Sequence, residues 1–250
     1  MGKIFKNMLP YWKAVIIIIA LLFVQAWCDL SLPSYTSDII DVGIQNSGVE
    51  HIVPEKLTKS EFETAQFIMT DDETDVWKGL YEADGEFYKL KDKSEKELDE
   101  ADEKLTLPLI MNYQMSTLEV SSFKKTIASQ MGKKESELEN MSVEQLGETL
   151  GVKFKSFKQE KEDNDGNKVK VDCVDARPFF AGMLESGKMD KKSILSMRDK
   201  MSNTIDAMGS SLVKSMGVAY AVSCDKTAGI DIDHVQKSYL LFAGLKMLGM

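Results

Sequence analysis

The stretch Ala14–Ala26, AVIIIIALLFVQA, organises the rest of this 250-residue chain. Its only polar side chain is that of Gln25, and Trp12 and Trp27 stand on either side of it. A membrane-spanning helix needs about 20 mostly apolar residues, and amphipathic aromatic rings favour the headgroup regions. The sequence therefore predicts a transmembrane helix, with tilt or snorkelling of Lys13 making up the length. A buried core helix is the alternative.

Charge predicts how this helix is oriented. Lys3, Lys6 and Lys13 precede or open it, and no acidic residue occurs before Asp29. By the positive-inside rule, the N-terminus is cytoplasmic and the chain after Trp27 is extracellular. The first dozen residues suit an amphipathic segment on the inner membrane surface, and a disordered tail fits them equally well.

A cleaved signal peptide is a rival interpretation of the same stretch. It would need small residues before the cleaved bond, whereas the sequence there is Gln25-Ala26-Trp27-Cys28. The bulky Trp27 directly before Cys28 also disfavours a lipid-modified cysteine. A secreted product is therefore the less favoured interpretation.

The rest of the chain is acidic. The formal net charge is −9, and all 40 acidic residues lie between Asp29 and Asp233. An acidic exterior region disfavours nucleic acid as a partner and disfavours tight docking on anionic lipid. The charge mainly indicates a soluble extracellular domain.

Three cysteines occur, and none has the spacing of a zinc site. Cys28 lies at the predicted membrane edge. Cys173 and Cys224 lie in the predicted extracellular part, where a disulfide between them is permitted but not demanded by their spacing. Partly buried thiols without a disulfide are the favoured alternative.

The expected local structure is mostly helical. The first helix should continue beyond the bilayer through residues 13–46, with a possible kink at Pro33 and a stop at Asn46-Ser47-Gly48. A linker, HIVPEKLT, follows, and Thr58 then opens a pattern like a capping box with Glu61.

The turn residues and spacings beyond Glu61 predict further elements. Asp84-Gly85 indicates a β-hairpin, and residues 164–167 indicate the turn of a second one. Pro108 is expected at a helix start or a bend. A short helix from Arg177, a break at Gly187 and a longer helix over residues 190–216 are expected after that. Between the two hairpins, one helix is expected to end at Gly132 and another at Gly151.

No catalytic, cofactor-binding or metal-binding residue is predicted. The acidic groups at residues 71–75 and 163–167 lack the spacing of a calcium-binding loop. His51 and His234 are the only histidines, so a histidine-based catalytic set is disfavoured. No GxxxxGK motif followed by Ser or Thr occurs, so this chain by itself is not expected to hydrolyse ATP.

The C-terminal residues 231–250 are expected to begin a second transmembrane helix. Asp231 and Asp233 suit the positive end of that helix, and the composition from Tyr239 onward is nearly membrane-like apart from Lys246. A spanning helix that is cut off at Met250 is the preferred interpretation.

Leu9–Ile44, LPYWKAVIIIIALLFVQAWCDLSLPSYTSDIIDVGI, resembles the opening of bacterial type I ABC exporters, in which permease and ATPase are fused. In that family a cytoplasmic elbow helix leads into a long first transmembrane helix. Tyr239–Met250, YLLFAGLKMLGM, is similar to the family's second transmembrane helix, though less specifically. The resemblance covers the two ends of the chain. It departs from the family between them, where ordinary members have only a short outer loop.

The resemblance implies a mainly α membrane protein with four parts. They are a cytoplasmic elbow segment (1–12), transmembrane helix 1 with an extracellular extension (13–46), an extracellular inserted domain (47–230) that is mostly helical with one or two small β-hairpins, and the start of transmembrane helix 2 (231–250). The chain would be a fragment of a multi-pass cell-membrane exporter.

The resemblance also implies partners and cofactors. The permease would lie in the lipid bilayer and pair with an identical or a different permease chain to move an unknown substrate. ATP and Mg²⁺ would act on a nucleotide-binding domain that this sequence lacks. A membrane-anchored surface protein, whose acidic extracellular domain senses or binds an external ligand, is the alternative from another functional class.

Overall fold

A computed structural model describes residues 11–132, 134–154, 156–162 and 168–249 of the chain. The structure is mainly helical, with small antiparallel sheets and one long apolar helix near the N-terminus, which confirms this coarse part of the predicted fold. The chain divides into two compact units. The first contains the residues up to Glu50 and those from Ile232 onward, and the second contains His51–Asp231. The predicted elbow segment lies almost wholly outside the described residues.

The first unit consists of helices from both ends of the chain. Helix α1 covers Trp12–Asp38 and continues as a π-helical segment, Ile39–Gln45. The α-helical pattern runs through Pro33 and changes only at Ile39. The last helix of the chain, α11, covers Ile232–Leu248.

The continuous helix Trp12–Gln45 is long and apolar enough to cross a membrane, with a mean hydropathy of 2.3 in its most apolar window. No other helix among the described residues meets these criteria. A signal sequence near an N-terminus meets them too. None of the residues of α1 is buried, so the helix is not the core of either compact unit.

Within the first unit, the π-helical segment contacts α11 closely. The side-chain amide of Gln236 donates a hydrogen bond to the backbone oxygen of Gly43 at 2.8 Å. A Cβ atom on Gly43 would lie 2.5 Å from a methyl carbon of Leu240. The absence of a side chain at Gly43 therefore lets the two helices approach each other.

The second unit contains all the strands among the described residues. Its elements before residue 117 are, in chain order, β1 Lys56–Thr58, α2 Lys59–Ala65, a 3₁₀ turn Gln66–Ile68, α3 Asp71–Leu80, β2 Tyr81–Asp84, β3 Phe87–Leu90 and α4 Glu95–Ser116. Its later elements are β4 Leu118–Glu119, α5 Val120–Met131, α6 Glu135–Glu139, α7 Val143–Leu150, β5 Ser156–Glu162, β6 Lys168–Val174, α8 Arg177–Glu185, α9 Lys191–Asp206 and α10 Ser210–Thr227.

The first sheet has the strand order β1-β3-β2 and is antiparallel throughout. The hairpin predicted at Asp84-Gly85 is present, and Gly85 has the positive φ of 60° that its turn requires. The predicted linker is wrong in part, because its last residues form β1 and pair with β3. Trp77, fully buried, donates through its ring nitrogen to the backbone oxygen of Phe62 at 3.1 Å.

The second sheet has the order β4-β6-β5. The two predicted long strands are present as β5 and β6, while their predicted turn at residues 164–167 lies outside the described residues. The helices predicted to end at Gly132 and Gly151 do so, because both glycines adopt the left-handed conformation. Phe123, Phe154 and Phe179 pack edge to face in the core beside this sheet.

Two helix predictions need correction. Pro108 does not start a helix, because it is a buried residue in the interior of α4, and the alternative of a bend at this residue stays a prediction. The long helix predicted over 190–216 is two helices, α9 and α10, separated at Gly209 with a φ of 85°. Helix α10 then continues past the predicted end to Thr227, which brings Tyr220 and Cys224 onto a helix.

Candidate functional site

A buried ionic network lies in the second unit and is centred on Arg177, the first residue of α8. Its Nη1 donates to both carboxylate oxygens of Glu61, at 2.7 and 2.9 Å, and to the amide oxygen of Asn112 at 3.3 Å. Its Nε and Nη2 donate to the two carboxylate oxygens of Asp175 at 2.9 and 2.8 Å. The guanidinium is thus held between two carboxylates, one of them 116 residues away along the chain.

Local structure places each member of this network. Thr58 caps α2 by accepting from the backbone N–H of Glu61, which fixes the backbone of Glu61 in the first turn. The side chain of Glu61 does not complete the predicted capping box and instead reaches Arg177. Asp175 follows β6 directly, and it also accepts from the backbone N–H of Arg177 at 3.0 Å.

The network keeps the guanidinium charged. Burial lowers the pKa of Arg177, but the hydrogen bonds to Asp175 and the charge of Glu61 outweigh burial, so the net pKa is raised above its ordinary value. Arg177 therefore carries a positive charge at neutral pH. Its charge is compensated locally by the two carboxylates.

A cavity of about 450 Å³ lies beside this network, wholly inside the second unit. Three aromatic side chains, several hydroxyl groups and four charged side chains line it. The lining residues are Thr58, Glu61, Tyr113, Ser116, Thr117, Phe157, Lys158, Gln159, Asp175, Arg177, Tyr220, Ser223, Cys224 and Thr227. Its volume lies within the range of small-molecule binding sites.

Two fully buried polar atoms belong to residues that line this cavity. They are the hydroxyl of Tyr220, whose side chain is only 1% exposed, and the side-chain oxygen of Gln159. The amide nitrogen of Gln159 donates to the hydroxyl of Tyr113 at 2.9 Å. Both atoms have less than 1 Å² of accessible surface, so they lie behind the cavity wall and do not face its open space.

Cys224 lines the same cavity but is not suited to nucleophilic chemistry. Burial raises the pKa of its thiol well above the ordinary value, so the reactive thiolate is scarce at neutral pH. Burial likewise raises the pKa of Tyr220, so its hydroxyl stays protonated and able to donate. Neither Cys173 nor Cys224, both of them described, forms a disulfide, which agrees with the favoured alternative, but both side chains are buried fully and not partly as expected.

A second charged pair lies elsewhere in the same unit. The Nδ1 atom of His51 lies 2.9 Å from a carboxylate oxygen of Asp102, and the hydrogen bond to Asp102 raises the pKa of His51 above its ordinary value.

Asp225, which is 2% exposed, accepts from the backbone N–H of Lys56 at 2.8 Å. Burial raises the pKa of Asp225 to about 7.

The structure assigns structural positions to the residues that the sequence singled out. Residues 71–75 begin α3, where Glu73 completes a capping box with Thr70. His51 lies in a loop and His234 lies in the first turn of α11. The acidic group at 163–167 lies outside the described residues.

Sequence reasoning missed the network and the cavity. One signal was available: the chain contains 31 basic residues, but only Arg177 and Arg198 among them are arginines. Both have side chains that are largely buried in ion pairs, Arg177 with Glu61 and Arg198 with Glu73. Arginine is the preferred cation for such buried pairs because its planar fork matches a carboxylate.

Comparison with known proteins identifies no relative of this chain. No protein-family model matches it, and neither a curated protein nor a solved structure is similar to it.

Proposed function

We propose that the chain forms part of the transmembrane permease of an ATP-driven ABC exporter, in which residues 51–231 are an extracellular domain inserted between two membrane helices. The observation that carries the proposal is the composition of the first unit. Helix α1 with its π-helical extension and helix α11 belong to one compact unit, although 181 residues separate Glu50 from Ile232. An exporter with an insertion in its first outer loop requires this arrangement of neighbouring helices.

The surface of α1 supports its insertion into a bilayer. Its residues Ile16, Leu22 and Phe23 are 53%, 57% and 74% exposed, and no charged residue lies between Lys13 and Asp29. Lipid would remove this apolar surface from water, which contributes roughly 25 cal/mol for each Å² that is buried. The positive-inside rule then places the N-terminus in the cytoplasm and residues 51–231 outside.

In this proposal, α1 and α11 line a substrate pathway with later helices and with an identical or different partner permease. ATP and Mg²⁺ act at a nucleotide-binding domain that is not in this sequence. The transported substrate is not specified by any described residue.

Cysteine labelling tests the topology. A variant without Cys28, Cys173 and Cys224 receives one new cysteine, either at Lys78, which is exposed in the second unit, or at Lys3. A maleimide that does not cross membranes should label intact cells only through position 78. Labelling of position 3 in intact cells would contradict the proposed orientation, and recovery of the chain in the culture medium would support a cleaved signal peptide instead.

Two further experiments test the exporter assignment. The coding DNA should continue past the codon for Met250 into further apolar spans and a phosphate-binding motif, and a stop codon directly after Met250 would contradict the proposal. Deletion of residues 51–231 from the complete transporter should alter transport or substrate range. Unchanged transport of every substrate would exclude a role of the inserted domain in transport.

The cavity beside Arg177 favours a second candidate function, a membrane-anchored domain that binds an external ligand. It rests on the volume of this cavity, about 450 Å³, and on the aromatic and hydroxyl-bearing side chains that line it. The two candidates are compatible, since an exporter can carry such a domain. Retained ligand binding by a chain that does not support transport would favour the second candidate alone.

A further inference from the structure

The second unit begins with a histidine whose ring contacts two acidic side chains of one helix. His51 is the first residue of the unit, and Glu95 and Asp102 lie two turns apart on α4. The Nδ1 atom of His51 lies 2.9 Å from a carboxylate oxygen of Asp102, and Nε2 lies 3.3 Å from one of Glu95. The side chains of His51 and Asp102 are 13% and 14% exposed, so their contact is largely shielded from water.

Asp102 also holds the backbone at the start of the unit. Its second carboxylate oxygen accepts a hydrogen bond from the backbone N–H of Ile52 at 3.1 Å. Ile52 is 1% exposed, and its side chain packs against Gly217 of α10. One carboxylate therefore binds the ring of His51 and the amide of the next residue, so it attaches the first residues of the unit to α4.

The positions of the two carboxylates favour an imidazole ring that carries two protons. A neutral ring has one N–H donor and one acceptor nitrogen, whereas a protonated ring has two donors. If a neutral ring donates from Nδ1 to Asp102, the lone pair of Nε2 lies beside the carboxylate oxygen of Glu95, which is an acceptor too. Nε2 is buried and has no hydrogen-bond donor beside it in the described part of the chain. Protonation of Nε2 replaces this contact between two acceptors with an ion pair.

The surrounding charges also favour the protonated ring. Glu95 and Asp102 approach it from α4, Lys214 acts on it from α10, and Glu50 precedes it in the chain. The hydrogen bond to Asp102 raises the pKa of His51 and burial lowers it. The charges of Asp102 and Glu95 raise the pKa further, against the opposing charge of Lys214. The net result is a pKa above the ordinary value of 6.5.

We propose that His51 is a pH-dependent switch, which holds the first residues of the second unit on α4 when it is protonated and releases them when it loses a proton. The stabilising contribution is complete below about pH 6.5, and it is lost as pH rises through the higher pKa of the folded state. Residues 51 and 52 should then separate from α4 more often, while the rest of the unit stays folded. The inference goes beyond the proposed function and does not depend on it.

Titration of the histidine rings tests the proposal directly. The chain contains two histidines, so NMR of the full chain in detergent, with ¹³C-labelled histidine rings, gives two signals. His51→Gln identifies the signal of residue 51, and EDTA in every buffer removes metal ions. We expect the signal of His51 to titrate with a midpoint above pH 6.5. The amide of Ile52 should lose its protection from hydrogen exchange over the same pH range, because it donates to Asp102.

Three variants of α4 locate the cause. Asp102→Asn and Glu95→Gln each remove one negative charge beside the ring and should lower the titration midpoint of His51. Glu103→Gln is the matched control, because Glu103 is an exposed acid on the same helix, and it should leave the midpoint unchanged. The side chain of Glu95 is 72% exposed, so Glu95→Gln tests the proposal even if Asp102→Asn does not fold.

Urea titrations of the unchanged chain and of His51→Gln measure the effect on stability. Asp225 is present in both proteins, so its own pH dependence cancels in the comparison. The unfolding constant of His51→Gln, divided by that of the unchanged chain, should be at least about tenfold larger at pH 6 than at pH 9. This factor corresponds to one hydrogen bond to a charged group.

Three outcomes would overturn the proposal. A His51 midpoint at or below pH 6.5 would show that the two carboxylates do not hold a second proton on the ring. Protection of the Ile52 amide that does not change with pH would show that His51 has a structural role only. If the stabilisation by His51 is absent in EDTA at every pH and returns when Zn²⁺ replaces EDTA, a metal ion and not a proton lies between the ring and Glu95.

Discussion

Arg177→Met should be one of the most destabilising single substitutions in the second unit. The guanidinium is 12% exposed, and its partners Glu61 and Asp175 are 19% and 37% exposed. Removing one partner of a buried ion pair costs about 3–5 kcal/mol, because the other charge stays buried without compensation. Asp175 is more than a third exposed, so its contribution is small, and we expect a loss of about 3 kcal/mol.

A double-mutant cycle tests the physical reason. Glu61→Gln keeps the size of the side chain but removes its charge, and it should cost about 1–2 kcal/mol while Asp175 still pairs with Arg177. The double variant Arg177→Met/Glu61→Gln should cost less than the two single losses together, by about 1–2 kcal/mol, because no uncompensated carboxylate remains at position 61.

Urea unfolding of the full chain in detergent, followed by fluorescence of the buried Trp77, measures these losses. Lys158→Met is the control: its ammonium is 69% exposed and lies 3.8 Å from Asp172, so the change should cost less than about 0.5 kcal/mol. A loss below about 0.5 kcal/mol for Arg177→Met, or fully additive losses in the cycle, would refute the view that Arg177 compensates a buried carboxylate.

Three further perturbations have definite expected results. Burial raises the pKa of Asp225 to about 7, so the folded state holds the proton of this side chain more tightly than the unfolded state does. The contribution of Asp225 to the free energy of unfolding should therefore fall as pH rises from about 4 through 7. Asp225→Asn should remove up to about 4 kcal/mol of this pH dependence, and equal pH profiles of the variant and the unchanged chain in urea titrations would contradict it. Gly217→Ala should destabilise the second unit by about 1–2 kcal/mol, because the added methyl would lie 2.5 Å from a side-chain carbon of Ile52. Gly79→Ala is the control, because the space around Gly79 is open. In the same urea titrations it should be neutral or stabilising by up to about 1 kcal/mol. Ile19→Lys in α1 should make the free energy of membrane insertion less favourable by roughly 2.5–3.5 kcal/mol. A smaller fraction of the protein should then stay in the membrane pellet after alkaline extraction. Full retention in the pellet would weaken the transmembrane assignment.

The sequence predicted the elements whose signals are local. The helix α7 ends at Gly151 as expected, and Asp84-Gly85 forms the expected hairpin turn. The apolar run Ala14–Ala26 forms a continuous helix. Each of these features depends on residues within one or two turns of one another, so their spacing along the chain carries the information.

Tertiary contacts overrode local signals at other positions. Strand β1, only three residues long, is a strand because β3 pairs with it, and nothing in its own composition distinguishes it from a linker. Pro108 is accommodated inside α4, where its ring is buried. At Gly209 a single residue with positive φ separates two helices whose apolar spacing looked continuous.

The candidate site was decided almost entirely by the tertiary structure. Arg177 meets Glu61 across 116 residues, and Asp225 meets the backbone of Lys56 across 169. Tyr220 and Gln159 line the same cavity from α10 and β5, two elements that are far apart along the chain. The sequence by itself determined the apolar helix, the charge distribution and the local caps and turns, because these follow from neighbouring residues. Packing decides which distant polar groups become neighbours and which of them lose contact with water. Burial is a property of the assembled unit and not of any one segment.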